Sequence, residues 1–167
     1  QVVFNVDAEP SQPIHLTKYI TYHTSRSDKT DELKARAVRT LDRVLTHGFD
    51  QLVKDQRAYL DDFWECSDIQ GGRTHPRAQQ CIRWNLFQLL QAAGRADYAG
   101  VPAKGLTGQT YDGHYFWDMD MYMLPFFIYT APRLAGNLLR FRYSILDKAR
   151  ARAREVNQKG ALFPWRT

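Results

Sequence analysis

The sequence predicts a mainly α-helical chain preceded by short β-like segments, and three observations carry that reading. Apolar residues recur at helical spacing over most of the chain beyond residue 30. The first 24 positions are instead rich in β-branched and aromatic residues, with a period of two in their second half. Glycines and prolines gather between the helical runs instead of scattering through them. With 167 residues, 44% hydrophobic and 13% aromatic, the chain has the composition and length of a globular protein with a real core.

The elements follow in order. Residues 1–6 and 14–24 read as strands, the second alternating through Leu16, Lys18, Ile20 and Tyr22, with a turn at Pro10 and Pro13 between them. Two strands alone are marginal in water, so residues 1–26 are expected to be the trailing edge of a β-domain whose remainder lies upstream. Residues 27–75 read as a helical linker. Its apolar stripe runs through Leu33, Ala37, Leu41, Val44, Leu45, Leu52, Val53, Tyr59, Leu60 and Phe63, with Gly48 as the expected break. Thr30 followed by Asp31 and Glu32 marks its start. Residues 68–75, with Gly71 and Gly72, form a loop, and Pro76 suits the first turn of the next helix.

Residues 76–167 make up the third part. The run 77–96 carries Ile82, Trp84, Leu86, Phe87, Leu89, Leu90 and Ala93, apolar on more than one face, as a helix inside a larger assembly requires. Five glycines and Pro102 make 94–113 a loop. A helix is expected over 115–129, a break at Pro132, and a further helix over 133–156 ended by Asn157 and Gly160. The chain starts at Gln1 without an initiator methionine and stops just after Phe163-Pro164-Trp165; both ends are expected to be cuts.

Net charge is +5. Much of the excess sits at Arg140, Arg142, Lys148, Arg150, Arg152 and Arg154 on one amphipathic run, which reads as a solvated helix face. The aromatic residues are not interleaved with these cations as a nucleic-acid stacking platform needs, so nucleic acid is not expected as a partner. The longest apolar stretch, 121–131, falls well short of the roughly 20 residues of a membrane span. Cys66 and Cys81 have neither CxxC spacing nor a second pair, which supports neither a zinc site nor a disulfide framework.

The stretch most able to carry chemistry is 104–120. It sets His114, Phe116, Trp117, Asp118 and Asp120 at the mouth of a helix. A flat indole matches the C–H face of a pyranose, and carboxylates accept paired hydrogen bonds from adjacent hydroxyls. The same residues also suit a structural role, with Asp118 and Asp120 matching a helix dipole and Trp117 in a core. Other chemistries find less support. Gly105-x-x-Gly108 lacks phosphate-loop spacing, and no GxGxxG follows a strand. Asp112, His114, Asp118 and Asp120 have i, i+2 spacings that rarely converge on a metal. No serine sits in a nucleophile elbow.

Several of these stretches resemble glycoside hydrolase family 65. They are 102–108, the run Gly113-His114-Tyr115-Phe116-Trp117-Asp118, Leu124-Pro125-Phe126-Phe127, Pro132, Arg140-Phe141-Arg142-Tyr143 and Gly160-Ala161-Leu162-Phe163-Pro164-Trp165. Leu16-Thr17-Lys18-Tyr19 and Tyr22-His23-Thr24-Ser25-Arg26 extend the resemblance, similar to the last strand of that family's N-terminal β-sandwich, so it covers nearly the whole chain. Thr110 stands where a glycine is expected, Asp120 where many members carry Glu, and Arg166 where a Pro-Trp-Glu version would supply a carboxylate.

The resemblance implies the end of a β-sandwich, a helical linker and the first helices of an (α/α)6 barrel. Trp117 and Asp118 would hold the non-reducing glucose, Trp165 would line the same pocket, and Phe116, His114 and Asp120 complete the expected substrate-binding set. No catalytic residue is expected here, since the family's general acid is a glutamate downstream of Thr167. The implied activity is that of an inverting phosphorylase of a glucose disaccharide, of trehalose or maltose type, with inorganic phosphate as co-substrate and neither cofactor nor metal. A related trehalase-like hydrolase and a non-catalytic helical interaction module are the alternatives. Expected partners are a glucose-containing disaccharide and the remainder of the same protein, in the cytoplasm, with a homodimer left open and no membrane.

Overall fold

A 3-10 turn at Thr30–Glu32 winds straight into α1, Leu33–Ser67, so the start falls where the sequence puts it, with Asp31 and Glu32 in the first turn. The capping position is Lys29, in extended backbone and without a side-chain cap. α1 kinks at Gly48, whose φ of 75° and ψ of 169° lie outside the helical region. A Cβ at Gly48 would meet nothing within 4 Å, so the backbone angle, not space, favours glycine there. The computed structural model describes residues 3–25, 29–70, 76–93, 100–105, 108 and 110–167. Chain contacts divide it into two units, Gln1–Gln56 and Arg57–Thr167.

In the first unit the two expected strands do not form among the described residues. Residues 3–25 are extended without a ladder, turning at Pro10 and Ser11, where the Gln12 amide donates to the Glu9 carbonyl at 3.2 Å. A strand exists only through a neighbouring extended backbone, and among the described residues none pairs with this segment. The period of two nonetheless survives in the burial pattern. Tyr19, Thr21 and His23 are half-buried, and Thr21 Oγ1 donates to the Ala37 carbonyl at 3.5 Å, with His23 Nε2 3.2 Å from Thr40 Oγ1. Leu16, Ile20 and Tyr22, on the other face, are exposed.

The second unit adds four helices to the end of α1: α2 (Pro76–Ala93), α3 (Leu124–Thr130), α4 (Pro132–Ser144) and α5 (Leu146–Glu155). Pro76 opens α2 as predicted. Phe127, Met119 and Leu138 are fully buried and lie with Ala92, Ala93, Val101, Tyr115, Ala135 and Phe141 in the main core. A smaller cluster joins Phe63 of α1 to Leu86 and Leu90 of α2. Leu89, Phe126 and Leu134 pack against both, which accounts for the apolar residues on more than one face of α2. Trp84 departs from that pattern and faces solvent.

Two boundaries differ from expectation. The helix expected from 115 begins only at Asp118, as a π-helical turn over Met119–Met123 that runs into α3, because residues 115–117 are engaged in an extended pairing. The single helix expected over 133–156 is two, broken at Ile145 (φ −103°, ψ 4°). The Ser144 hydroxyl donates to the Phe141 carbonyl at 2.7 Å, and such back-bonding competes with the regular ladder. α5 ends through Asn157 and Gly160, both with positive φ, as the sequence indicates. Gly71, Gly72 and Gly94 lie outside the described residues. Neither a β-sandwich nor a closed helical barrel forms among the described residues. Nor is any helix there long and apolar enough to cross a membrane.

The end of α1 is tied to the middle of α2 by Asp68 and Arg83. Arg83 Nε donates to Asp68 Oδ1 at 3.0 Å, Nη2 donates to Oδ2, and the guanidinium lies 5.4 Å from the centre of the Trp64 ring. The hydrogen bonds from Arg83 hold the Asp68 carboxyl below its ordinary value of 3.8. A depressed carboxylate contributes stability above that ordinary value and loses it as pH falls through the lowered one. Asp68→Asn is therefore expected to lower the Tm of the complete protein at neutral pH, with the difference closing in acid as pH falls below the carboxyl's ordinary value and through its lowered one. A second test concerns packing: a Cβ on Gly100 would lie 2.6 Å from the Tyr115 ring. Gly100→Ala should cost about 1–3 kcal/mol in denaturant unfolding, as overpacked cores do.

Candidate functional site

The loop before α3 is built on strained backbone. Tyr111, Asp112 and Gly113 have φ of 66°, 52° and 75°, three left-handed residues in succession, of which only glycine adopts that region without a Cβ penalty. The turn is held by the His114 amide donating to the Tyr111 carbonyl at 2.9 Å and the Ala103 amide to the His114 carbonyl at 3.3 Å. Tyr111 also sets its ring edge against Phe116, centroids 5.3 Å apart, with Lys104 Nζ 5.9 Å from the Tyr111 centroid.

After this turn the chain pairs with its last residues. Phe116 and Arg166 form an antiparallel bridge, flanked by Tyr115 and Thr167, which exchange amide-to-carbonyl bonds of 3.0 and 2.9 Å. The Trp117 indole N–H donates to the Pro164 carbonyl at 2.7 Å, and His114 Nδ1 lies 3.2 Å from the Thr167 carbonyl oxygen. The pairing brings Trp165 to both aromatic residues of the motif. Its ring centroid is 5.5 Å from that of Trp117 and 6.1 Å from that of Phe116, each edge-to-face.

Arg142, on α4, reaches into this junction. Its Nε donates to both carboxylate oxygens of Asp120 at 3.0 and 2.9 Å, and Nη2 donates to Asp120 Oδ2. Nη2 also donates to the Phe116 carbonyl at 3.4 Å, and Nη1 to Thr167 Oγ1 at 3.3 Å. The Arg142 side chain is only 12% exposed, so it does not belong to the solvated basic face in which the charge pattern places it.

The structure thus brings together five of the six sequence-predicted site residues, in different settings, while Asp118 is their neighbour in sequence and lines neither cleft. Trp117 and Trp165 are 41% and 59% exposed, a rim and not a core. Asp118 is exposed and makes no side-chain cap at the helix start. Phe116 and His114 are half-buried within the pairing, while the Asp120 carboxylate faces Arg142. Trp117 and Trp165 open onto a cleft of about 640 Å³ that Phe163, Lys148 and Arg152 also line. A smaller one of about 270 Å³ lies between Trp117, Asp120, Met121, Arg142 and Phe163. Among the described residues no three His, Cys, Asp or Glu side chains gather to hold a metal, and Cys66 and Cys81 are free. Tyr111 and Arg142 were not among the site residues read from sequence. Nothing in an exposed-looking loop tyrosine or in one arginine of a basic run distinguishes it locally.

Comparison with known proteins decides the family. The model of the glycosyl hydrolase family 65 central catalytic domain matches residues 83–167, and that of the family's N-terminal domain matches residues 1–63. The chain belongs to glycosyl hydrolase family 65. Among family 65 relatives, an α,α-trehalose phosphorylase of Thermoanaerobacter brockii is 43% identical over 169 residues, covering 100% of this chain and 21% of that protein. One from Geobacillus stearothermophilus is 54% identical over 120 residues, 71% of this chain and 16% of that protein. A kojibiose phosphorylase of Caldanaerobacter subterraneus subsp. tengcongensis is 36% identical over 160 residues, 94% of this chain and 20% of that protein. The chain spans about a fifth of the length of the curated relatives it matches. As expected from the resemblance, the likeness to family 65 runs over nearly the whole chain and includes Phe116-Trp117-Asp118.

The indole bond to Pro164 gives a direct test of the pairing. Trp117→Phe keeps the ring face but removes the donor, leaving the Pro164 carbonyl short of one partner. It is expected to cost about 0.5–1.5 kcal/mol of stability in chemical denaturation of the complete protein, the usual net worth of a neutral hydrogen bond.

Proposed function

We propose that this chain is the donor-glucose-binding wall of an inverting α-glucoside phosphorylase that cleaves a glucose disaccharide with inorganic phosphate. One observation carries the reading: Trp117 and Trp165, brought together by the pairing of 114–117 with 164–167, present two partly exposed indoles, and the exposed Asp118 follows Trp117 directly in the chain. Indole faces take the C–H side of a pyranose and a carboxylate takes a pair of its hydroxyls. Phe116 and His114 support the wall from behind, and Asp120 steadies its base. The two relatives named as trehalose phosphorylases, at 43% and 54% identity, favour trehalose as the disaccharide.

In such a reaction phosphate attacks the anomeric carbon from the face opposite the departing sugar oxygen. The C1–O bond to the second sugar breaks as the bond to a phosphate oxygen forms, and a carboxylic acid gives its proton to the leaving oxygen. Products are glucose and β-glucose 1-phosphate. The wall's part is to hold the donor ring while it flattens toward an oxocarbenium-like state, with hydroxyl contacts that strengthen on the way. The acid and the phosphate site are expected downstream of Thr167, so the 167 residues alone are expected to be inactive. On this reading residues 1–26 close an N-terminal β-sandwich, 27–75 link it onward, and 76–167 begin an (α/α)6 barrel. The N-terminal and central family matches support that order. The protein would act in the cytoplasm, on its disaccharide and phosphate alone.

The test is phosphate dependence. The complete protein is expected to consume trehalose only when inorganic phosphate is supplied, with one glucose and one glucose 1-phosphate formed per trehalose. Cleavage at an unchanged rate in phosphate-free buffer, yielding two glucoses, would establish the trehalase-like reading instead. Absence of any disaccharide turnover by the complete protein would favour a non-catalytic module.

A further inference from the structure

Resting on the proposed donor-glucose wall, we infer that Arg142 and Asp120 are a positioning pair that sets the angle between Trp117 and Trp165, and that Asp120 acts inside the protein and not on the sugar. The two tryptophans lie on segments far apart in sequence, and each must keep its orientation for one sugar ring to lie against both. Short-range structure does not do this: Trp117 follows a strained turn, and Trp165 lies in a terminal stretch without helix or named strand.

Arg142 is the side chain that touches every part. Through Asp120 it holds the π-helical turn that follows Trp117; through the Phe116 carbonyl it holds the residue before Trp117; through Thr167 Oγ1 it holds the segment that carries Trp165. A guanidinium suits this task because its donors are fixed in one plane, so three acceptors on it are fixed relative to one another. The Arg142 side chain is 12% exposed and that of Asp120 27%, so water weakens their pairing less than it does a fully exposed pair. The Asp120 carboxylate has both oxygens committed to Arg142. Asp120 lines the smaller cleft, but with its oxygens already held by Arg142, whereas Asp118, two residues earlier, is exposed without such a partner. Removing the charge of Asp120 therefore loosens the wall without removing a sugar ligand.

The experiment measures KM and kcat of the complete protein for whichever of trehalose, maltose and kojibiose it cleaves best, with phosphate present or absent as turnover requires. Arg142→Gln and Asp120→Asn are each expected to raise KM by roughly tenfold, the worth of one lost charged hydrogen bond, with a smaller change in kcat. Asp120→Glu, which keeps the carboxylate, is expected to restore KM to within about threefold of the parent. In a Trp117→Ala background, where the wall is already broken, Arg142→Gln should add less than about twofold, because the two act through one structure. A pair that merely stabilised the fold would lower Tm and the active fraction, hence kcat, and leave KM in place. If Trp117→Ala raises KM but Arg142→Gln and Asp120→Asn do not, or if their effects multiply fully with that of Trp117→Ala, the positioning role is overturned and the wall stands. If Trp117→Ala itself leaves KM unchanged, the wall reading falls, and the positioning role with it. Should Arg142→Gln not fold, the near-isosteric Asp120→Asn in both backgrounds decides the same question.

Discussion

One antiparallel bridge, between Phe116 and Arg166, determines where every candidate site residue lies. Without it Trp165 would belong to a loose tail after α5, and Trp117 would be a surface residue at the start of a helix. With it, two indoles and a phenyl ring meet edge-to-face, and the indole N–H of Trp117 finds its acceptor in Pro164. A single bridge is weak by itself, since a few backbone hydrogen bonds bring only about 1 kcal/mol each. It persists because the strand that carries Phe116 is anchored on something stronger.

The anchors come from the core. Tyr115, on one side of the bridge, is buried and stands edge-to-face with Phe141 of α4 at 5.1 Å, and Met119, just beyond, is buried with its sulfur 3.2 Å from the Val101 amide nitrogen. Between these two buried positions the chain has three residues, Phe116, Trp117 and Asp118, that cannot all turn inward. The motif thus faces out because its flanks are pinned in. The π-helical turn over Met119–Met123 adds to this effect: its wider winding offsets the side chains from ordinary α-helical register, and such turns are often found at functional sites.

Legibility from sequence followed the range of the interactions. Helix starts at Thr30 and Pro76, the break at Gly48 and the stop at Asn157 were readable because each depends on backbone preferences of the residues themselves. The helix expected over 115–129 was misplaced at its start because tertiary pairing with 164–167 overrides the local apolar period. Residues 14–24 show why period alone does not make a strand: alternation survives, but the polar face of Thr21 and His23 turns inward while Leu16, Ile20 and Tyr22 are uncovered. The motif residues of the site were legible as chemistry. Their support by Arg142 was not, since a buried arginine and a solvated one in the same basic run are identical in one dimension.

The separation of the paired segments also bears on how the protein is made. The bonds from Trp117 to Pro164 and from His114 to Thr167 close loops of 47 and 53 residues, whereas the helices between them close over single turns. Loop closure of that length is slow compared with helix formation, so α3, α4 and α5 can form before the pairing exists. During synthesis Trp117 would leave the ribosome several seconds before Trp165, at roughly 5–20 residues added per second. Through that interval the Trp117 indole lacks its Pro164 acceptor and Phe116 its backbone partner, so completion of the pairing waits on the Phe163-Pro164-Trp165 segment.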